Sequence, residues 1–412
     1  MSALRARKIK PDSLRRCAAL VHFLIWAALA GLLGCVAWGQ AGASGSAAEA
    51  CATADQALAL SEWETARSEY TLCLDAEPSR FEILSNLAMA LTHLGRMDEA
   101  IQTYQKALAL SSGNPKVRFN LALVYIKVNN FGAATAQLVR LKASGLTDPR
   151  VPELLAFSYY HLGRYALAAR EAEQVHRSHP HDAANALILG SAYTRMGLYQ
   201  KALPLITFAL QSAGSADGHL IMGQTLLGLR LYHPAMDELT QAAALQPDLR
   251  GLHTALGMAK VGLGDSDSAE IEFTKALKSD PDDFQANYYM GRLKRLGGDP
   301  ESAQQYLDKA EQLHPGASQV LFELAAIAMT DHDYAKAEPM LKSVLRKEPD
   351  HIEAHFLLSE LYRRTKRPEA ARRERAAFQK LRDTQEEKQE TRGSKDSSSS
   401  NLAPAARVPS KP

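Results

Sequence analysis

Residues 81–114 read FEILSNLAMALTHLGRMDEAIQTYQKALALSSGN. The first half has apolar residues at the i, i+3, i+4 and i+7 spacing of one helix face: Leu84, Leu87, Ala88 and Leu91. Gly95 follows, at the place where a left-handed residue would cap that helix. A second apolar helix face then begins at Ala100. The stretch therefore predicts a helical hairpin.

The hairpin is repeated along the chain. Ten alanines recur at intervals of 34 residues, with one interval of 33: Ala66, Ala100, Ala134, Ala168, Ala202, Ala235, Ala269, Ala303, Ala337 and Ala371. Twelve positions before each stands another small residue: Ala54, Ala88, Ala122, Ala156, Gly190, Gly223, Gly257, Gly291, Ala325 and Ser359. Paired small residues let two helices approach closely. A fixed period of this length indicates an array of hairpins.

The array resembles the tetratricopeptide repeat (TPR) family, which has small residues at the helix crossing, Gly at the turn, an aromatic after it and Pro at the end. The turn glycines are Gly95, Gly163, Gly197, Gly264 and Gly298. The aromatics are Trp63, Phe131, Tyr165, Tyr199, Tyr232 and Tyr334. The prolines are Pro78, Pro180, Pro247, Pro281, Pro315 and Pro349. The resemblance implies an all-α solenoid of about ten hairpins in a right-handed superhelix, over residues 47–385. Repeats start near residues 47, 81, 115, 149, 183, 216, 250, 284, 318 and 352.

The first 46 residues form a separate leader. Six Lys or Arg and one Asp precede an uncharged run of 22 residues, Cys17 to Trp38. Basic residues before an apolar run are typical of an export signal, and the run is also long enough to span a bilayer as a helix. The pattern Ala41-Gly42-Ala43 would permit cleavage. A cleaved signal and a retained anchor both remain open, and both place the solenoid in the periplasm or cell envelope.

The positions of the cysteines bear on lipidation of the leader and on a disulfide in the first hairpin. Leu32 to Cys35 resembles a lipoprotein signal, but the apolar run continues past Cys35 and argues against lipidation. Cys51 and Cys73 fall on the two helices of the first hairpin, at the same end. A disulfide between them would persist in an oxidising compartment. The alternative is two small apolar side chains packed in a core.

The C-terminal part combines a basic helix with a polar tail. Nine Lys or Arg lie between Arg363 and Arg382, against Glu369 and Glu374. This cluster could bind an acidic partner or an anionic lipid surface, or it could be a solvated capping helix. Residues 386–412 are rich in Ser, Pro and charge, and we predict a disordered tail there.

No motif in the chain points to catalysis. The phosphate-binding, zinc-protease, nucleophile-elbow and dinucleotide-binding patterns are all missing, so we predict no enzyme activity and no cofactor. His176, His179 and His181 beside Asp182 have the ligand types of a metal site. A solvated turn explains them as well, and we predict no metal. The near-neutral array lacks the basic stripe of a nucleic-acid binder.

The concave groove is the predicted working surface. The resemblance implies that positions 2, 5, 6, 9, 12 and 13 of each first helix face a ligand. Aromatic and aliphatic anchors with scattered cations suit the capture of a peptide segment. The residues predicted to line the groove are Phe119, Asn120, Leu123, Phe157, Tyr160, Arg195, Tyr288, Tyr289, Arg292 and Phe322.

These features predict a non-catalytic scaffold that binds other proteins or peptide segments in the groove, is held at a membrane by its N-terminal segment, and takes part in assembly or secretion at the cell envelope. The chain looks most like exported, membrane-associated bacterial TPR proteins. The alternative is an accessory subunit that presents substrate to a separate catalytic partner. No nucleic-acid partner is expected.

Overall fold

The chain is helical throughout the part that its computed structural model describes, which is residues 45–145 and 148–399. These residues form twenty α-helices and no β-strand. Successive helices pair into ten hairpins, and each hairpin begins within two residues of a predicted repeat start. The predicted all-α solenoid of TPR-type hairpins is therefore confirmed, while the handedness of the superhelix stays a prediction.

The chain divides into two compact units after Leu249. The helices of the first unit are α1 (Gly45–Ala59), α2 (Trp63–Ala76), α3 (Phe81–His93), α4 (Met97–Leu110), α5 (Pro115–Lys127), α6 (Phe131–Ala143), α7 (Arg150–His161), α8 (Tyr165–Ser178), α9 (Ala183–Arg195), α10 (Tyr199–Ser212), α11 (Ala216–Gly228) and α12 (Tyr232–Leu245). Those of the second are α13 (Leu252–Gly262), α14 (Ser266–Ser279), α15 (Phe284–Leu296), α16 (Pro300–Leu313), α17 (Ser318–Thr330), α18 (Tyr334–Lys347), α19 (Ile352–Arg364) and α20 (Pro368–Ser399).

The closest crossing in each hairpin lies at the paired small residues. The first nine of the ten alanines in the second helices have no exposed surface, and only Ala371 is partly exposed. Where the facing residue is glycine, a large side chain fills the space beside it. A Cβ added at Gly190 would lie 2.6 Å from Ile206, and one at Gly257 would lie 2.6 Å from Phe273. The small residues are therefore a steric requirement of the crossing.

All ten turns within the hairpins use the same backbone conformation. The fifteenth residue of every repeat has a positive φ, whether it is a glycine or one of Ser61, Asn129, Arg230, His332 and Lys366. The residue after it donates a backbone hydrogen bond to the carbonyl five residues earlier, as Leu198 does to Tyr193 at 2.8 Å. This pattern is a Schellman cap, which ends a helix with one left-handed residue.

The left-handed position predicts opposite effects for two substitutions. Arg230→Gly should raise the free energy of unfolding by about 0.5–1 kcal/mol, because glycine adopts positive φ without a Cβ penalty. Gly197→Ala should lower it by about 1 kcal/mol, although an added Cβ would meet no atom within 4 Å. Gly113→Ala is the control, because Gly113 is equally open but has no positive φ. Urea denaturation measures all three, and equal stability of Gly197→Ala and Gly113→Ala would contradict the argument.

Cys51 and Cys73 join the two helices of the first hairpin. The structure links them in a disulfide, with their Cα atoms 5.1 Å apart. This distance lies within the range that unstrained disulfides adopt. Their role in holding α1 against α2 adds to the burial of Tyr70 and Ala54 between the same helices.

Two of the sequence predictions concern the chain ends. The predicted leader, apart from its last two residues, lies outside the described residues. None of the described helices is long and apolar enough to cross a membrane. At the other end, α20 continues to Ser399, so it includes the first part of the segment for which we predicted a disordered tail. Residues 400–412 lie outside the described residues, and the tail stays a prediction.

Candidate partner-binding groove

The ten predicted groove residues lie on first helices of their hairpins, as the register requires. Six belong to α5, α7 and α9 in the first unit, and four belong to α15 and α17 in the second. Their exposure differs from helix to helix.

Three of the ten residues are buried in the core. Phe119, Asn120 and Leu123 are at most 5 % exposed, because α5 is covered on all sides from Phe119 to Ile126. The Arg150 guanidinium lies 4.4 Å from the centre of the Phe119 ring and closes that ring off from solvent. The expectation that these three line an open groove is wrong, since neighbouring hairpins use them for packing.

Phe157 and Tyr160 belong to an aromatic cluster on the first unit. Phe157 lies 4.4 Å from the His161 ring, and His161 stacks on Phe131 at 4.5 Å. Tyr160 contacts the same imidazole at 5.6 Å and Tyr165 at 5.6 Å. The cluster joins α7 to the start of the preceding second helix, α6. Its rings are partly or fully exposed, so they form an aromatic patch on the surface of this unit.

The sequence predicted only two members of that cluster, Phe157 and Tyr160, as groove residues. Phe131 and Tyr165 begin second helices, and His161 ends a first helix, so none belongs to the positions considered for ligand contact except His161 at position 13. Reading position 13 across neighbouring repeats would have shown the pattern. It holds a basic residue in four successive hairpins: His93, Lys127, His161 and Arg195.

Two of the position-13 residues, His93 and His161, stack on the aromatic ring that begins the second helix of the preceding hairpin. His93 stacks on Trp63 at 3.7 Å with the two rings nearly parallel. Lys127 is half-buried, and its ammonium group donates to the Thr92 carbonyl at 3.5 Å. Burial lowers the pKa of Lys127 below its usual value. Arg195 is exposed at the end of α9. Cations at these helix C-termini are favoured by the helix dipole.

His93 makes the first unit sensitive to acid. Burial, and then the charge of Lys127, lowers the pKa of His93 to about 4. Below pH 6.5 the unfolded chain therefore binds a proton that the folded chain refuses until about pH 4, so stability falls across that window. We expect a loss of about 1–2 kcal/mol, less than full linkage because part of the ring is exposed. His93→Phe keeps the stack on Trp63 and should remove this loss in urea denaturation at pH 7 and 4. An identical pH dependence in wild type and variant would contradict the assignment.

The second unit carries a charged cluster beside Tyr288. Glu323 of α17 is buried, and both Arg295 and Arg292 of α15 pair with it. The Arg292 Nε atom is 3.4 Å from the carboxylate, and this side chain remains 41 % exposed, whereas that of Arg295 is 25 % exposed. Two guanidinium groups share one carboxylate, so the cluster has a net positive charge. Arg292 is the group that reaches solvent.

Tyr288 and Tyr289 of α15 lie beside this charged cluster. Tyr288 lies 5.0 Å from Tyr289, and Tyr289 stacks on the buried Phe273 at 5.5 Å. Burial, and then the nearby Glu323 carboxylate, raises the pKa of Tyr288 to about 12, which keeps its hydroxyl protonated. Phe322 packs its ring against His351 at 4.8 Å instead. The structure therefore brings Tyr288, Tyr289 and Arg292 together and places Phe322 in a neighbouring contact.

Nothing in these clusters has the arrangement of a catalytic centre. Among residues 45–145 and 148–399, no group of three His, Cys, Asp or Glu is placed to hold a metal ion. Asp182, from the histidine-rich stretch, accepts the backbone N–H groups of Ala184 and Asn185 as the N-cap of α9. This cap explains its place in the sequence. The clusters offer flat rings and guanidinium groups, side chains that are common anchors at protein interfaces.

Comparison with known proteins gives the family directly. Two family models, each described as tetratricopeptide repeat, match the chain. One matches residues 33–115, 153–217 and 254–318, which is more than half of its length. The other matches residues 94–156 and 328–376. Together the two models match residues 33–217, 254–318 and 328–376. A comparison with the sequences of curated proteins finds no match.

Solved structures of similar fold are distant in sequence. YrrB, titled a TPR protein with an unusual peptide-binding site, is 18 % identical, with 47 % of this chain and 97 % of that chain covered and a TM-score of 0.39. Yeast Tom70 is 16 % identical, with 82 % and 76 % covered and a TM-score of 0.37. The human IFIT1 dimer with m7Gppp-AAAA is 17 % identical, with 82 % and 87 % covered and a TM-score of 0.44.

Proposed function

The chain belongs to the tetratricopeptide repeat family, whose members generally act as protein–protein interaction scaffolds, and on that premise we propose that it is a non-catalytic scaffold that binds peptide segments of other proteins along its first helices. The observation that carries this proposal is one cluster on the second unit, in which partly exposed Arg292 pairs with Glu323, the Glu323 carboxylate lies near Tyr288, and Tyr288 contacts Tyr289. Aromatic and arginine side chains supply most of the binding energy at protein interfaces. The Phe157–Tyr160 cluster offers a second set of rings.

Site-specific photocrosslinking in cells tests the proposal. A photoreactive phenylalanine analogue would replace Tyr160 or Tyr288 in the full chain, and Leu72 or Ile271 in the controls. Both controls are large, more than half exposed, and lie on second helices. The expected result is a discrete covalent adduct from the groove positions that the controls do not give. Adducts of equal yield from all four positions, or none from Tyr160 and Tyr288, would reject the groove.

We further propose that the scaffold works outside the cytoplasm, at the cell envelope. The basic leader with its apolar run supports export, either as a retained anchor or as a cleaved signal. The pairing of Cys51 with Cys73 fits an oxidising compartment. Partners in assembly or secretion at the envelope would then meet the groove on the outer side of the membrane.

The number of free thiols tests this location. In a full-length chain that has been exported, two of the four cysteines, Cys17 and Cys35, should react with an alkylating agent after unfolding without a reductant. All four should react once a reductant is added. Mass spectrometry of the alkylated chain gives the count, and a signal cleaved after Ala43 would leave none free. Cys51 and Cys73 both alkylated before reduction, with the chain in the cytosolic fraction, would reject export.

A further inference from the structure

The last hairpin has an open pocket on the side where the repeat pattern ends. The pocket has a volume of about 730 Å³ and lies between α19 and α20. Its lining includes small residues, the cations Arg363, Lys366, Arg372 and Arg375, and one acid, Glu360, which pairs with Arg363 at 2.7 Å. Arg372 also contacts Glu369 of α20 at 3.1 Å. None of the ten predicted groove residues lines the pocket, although Glu360 and Arg363 hold positions 9 and 12 of the last repeat.

The same place in the hairpin before it is filled by a helix. Leu341 of α18 holds the repeat position that Arg375 holds in α20, and it is completely buried in one cluster with Leu358 and Leu361 of α19. This position is apolar and buried in all nine earlier hairpins: Tyr70, Tyr104, Leu138, Ala172, Ile206, Leu239, Phe273, Leu307 and Leu341. The pocket therefore has the shape of a seat for one more first helix.

The charge of this seat is reversed relative to the preceding one. Glu338 of α18 accepts two hydrogen bonds from Arg367 of the next hairpin, at 2.6 and 3.0 Å. The equivalent residue in α20 is Arg372, and Arg375 stands where the others are apolar. The Arg375 guanidinium is held 5.2 Å from the Phe378 ring and 5.7 Å from the Phe356 ring. The pocket lining keeps an excess of positive charge, with four cations against Glu360, so we expect a helix that fills this seat to bring acidic side chains.

We propose that an acidic amphipathic helix of a partner protein docks on α19 and α20 in the place of an eleventh first helix. Its apolar side packs on Pro368, Ala371 and Ala376, and its Asp or Glu side chains pair with Arg372 and Arg375. The proposal continues the packing between hairpins that the rest of the array already uses. An anionic membrane is a poorer fit, because a flat surface would use the exposed Arg373 outside the pocket as readily as Arg372 inside it.

The test uses two synthetic helical peptides and the full-length chain. One peptide carries Leu on one face and Glu on its flanks, and the second has Gln in place of every Glu. Fluorescence anisotropy at low and high salt measures binding. We expect the Glu peptide to bind at least about tenfold more tightly than the Gln peptide at low salt, and this difference to shrink at high salt. No preference for the Glu peptide would overturn the proposal.

Three variants separate the pocket from general surface charge. Arg372→Glu should weaken binding of the Glu peptide at least about tenfold, whereas Arg373→Glu, with the same charge change on the same helix, should leave it within about twofold. Arg375→Leu restores the residue type of Leu341 and should favour the Gln peptide. Helix content from circular dichroism checks the fold of each variant. If Arg372→Glu and Arg373→Glu weakened peptide binding equally, and also weakened binding to phosphatidylglycerol vesicles equally, the pocket would be overturned in favour of a membrane surface.

Discussion

Replacement of Phe273 by alanine is expected to lower the free energy of unfolding of the second unit by about 3–5 kcal/mol, because it removes a completely buried ring. One face of that ring stacks on Tyr289, and an edge lies against the backbone of α13 at Gly257. Both supports belong to regular helices. The cavity left by the ring cannot collapse without moving a helix, which places the loss at the high end for a buried side chain.

Gly257 should be coupled to this ring. A Cβ added there would lie 2.6 Å from Phe273, so Gly257→Ala should cost about 1–3 kcal/mol. The chain already uses Ala opposite Leu at the same two positions, in Ala122 with Leu138 and in Ala325 with Leu341. The double variant Gly257→Ala with Phe273→Leu copies that pair. The double variant should lose less free energy of unfolding than the sum of the losses in Gly257→Ala alone and Phe273→Leu alone, by about 1 kcal/mol or more.

Native-state hydrogen exchange of α13 and α14 is the measurement of choice. Repeat arrays lose structure in segments, so one global transition would mix the second unit with the first. The exchange of amides in α3 and α4 serves as an internal control, since no atom of the first hairpins is changed. Additive losses in the double variant would show that Gly257 is not required by the ring, and the register of the crossing would then need revision.

The order of the helices could be predicted because the period repeats the same local signals ten times. Each small pair, turn residue and apolar face marks the same step of the hairpin, so the starts at residues 81, 115 and 284 agree with α3, α5 and α15. Even the five turns without glycine follow the glycine turns, because the Schellman cap requires one left-handed residue whichever side chain it carries. These features depend on residues close together in the sequence, so the sequence predicts them directly.

The groove was harder to predict because its exposure depends on neighbouring hairpins. Phe119 and Phe157 occupy positions 5 and 9 of successive first helices, yet only Phe157 is partly exposed. The difference arises from Arg150, which begins another helix and covers Phe119. Glu323 was missed for the same reason: an acid at position 6 resembles a solvated residue until Arg292 and Arg295 of the preceding first helix are placed over it. Contacts between repeats decide which groove positions stay open.

Truncation of Tyr288 to alanine is expected to cost about 2 kcal/mol or more of partner affinity, roughly thirty-fold in Kd, because this ring is a predicted groove anchor in the same cluster as the partly exposed Arg292. Tyr288→Phe keeps the ring and should bind almost as wild type does. Tyr306→Ala is the matched control, a partly buried tyrosine on the second helix of the same hairpin, and should change affinity little. Titration of the crosslinked partner against each purified variant gives the affinities.

Arg292→Ala separates the charge of this site from its rings. Glu323 would keep its ion pair with Arg295, so the fold should survive while the exposed guanidinium is lost. Affinity should fall at low salt and approach that of wild type at high salt, since exposed charge contacts are screened, whereas the Tyr288→Ala loss should persist at both. The C-terminal pocket provides the opposing case: if it bound the same partner, Arg372→Glu would weaken binding and the groove variants would not. Wild-type affinity in both Tyr288→Ala and Arg292→Ala would therefore remove the second-unit groove as the partner site.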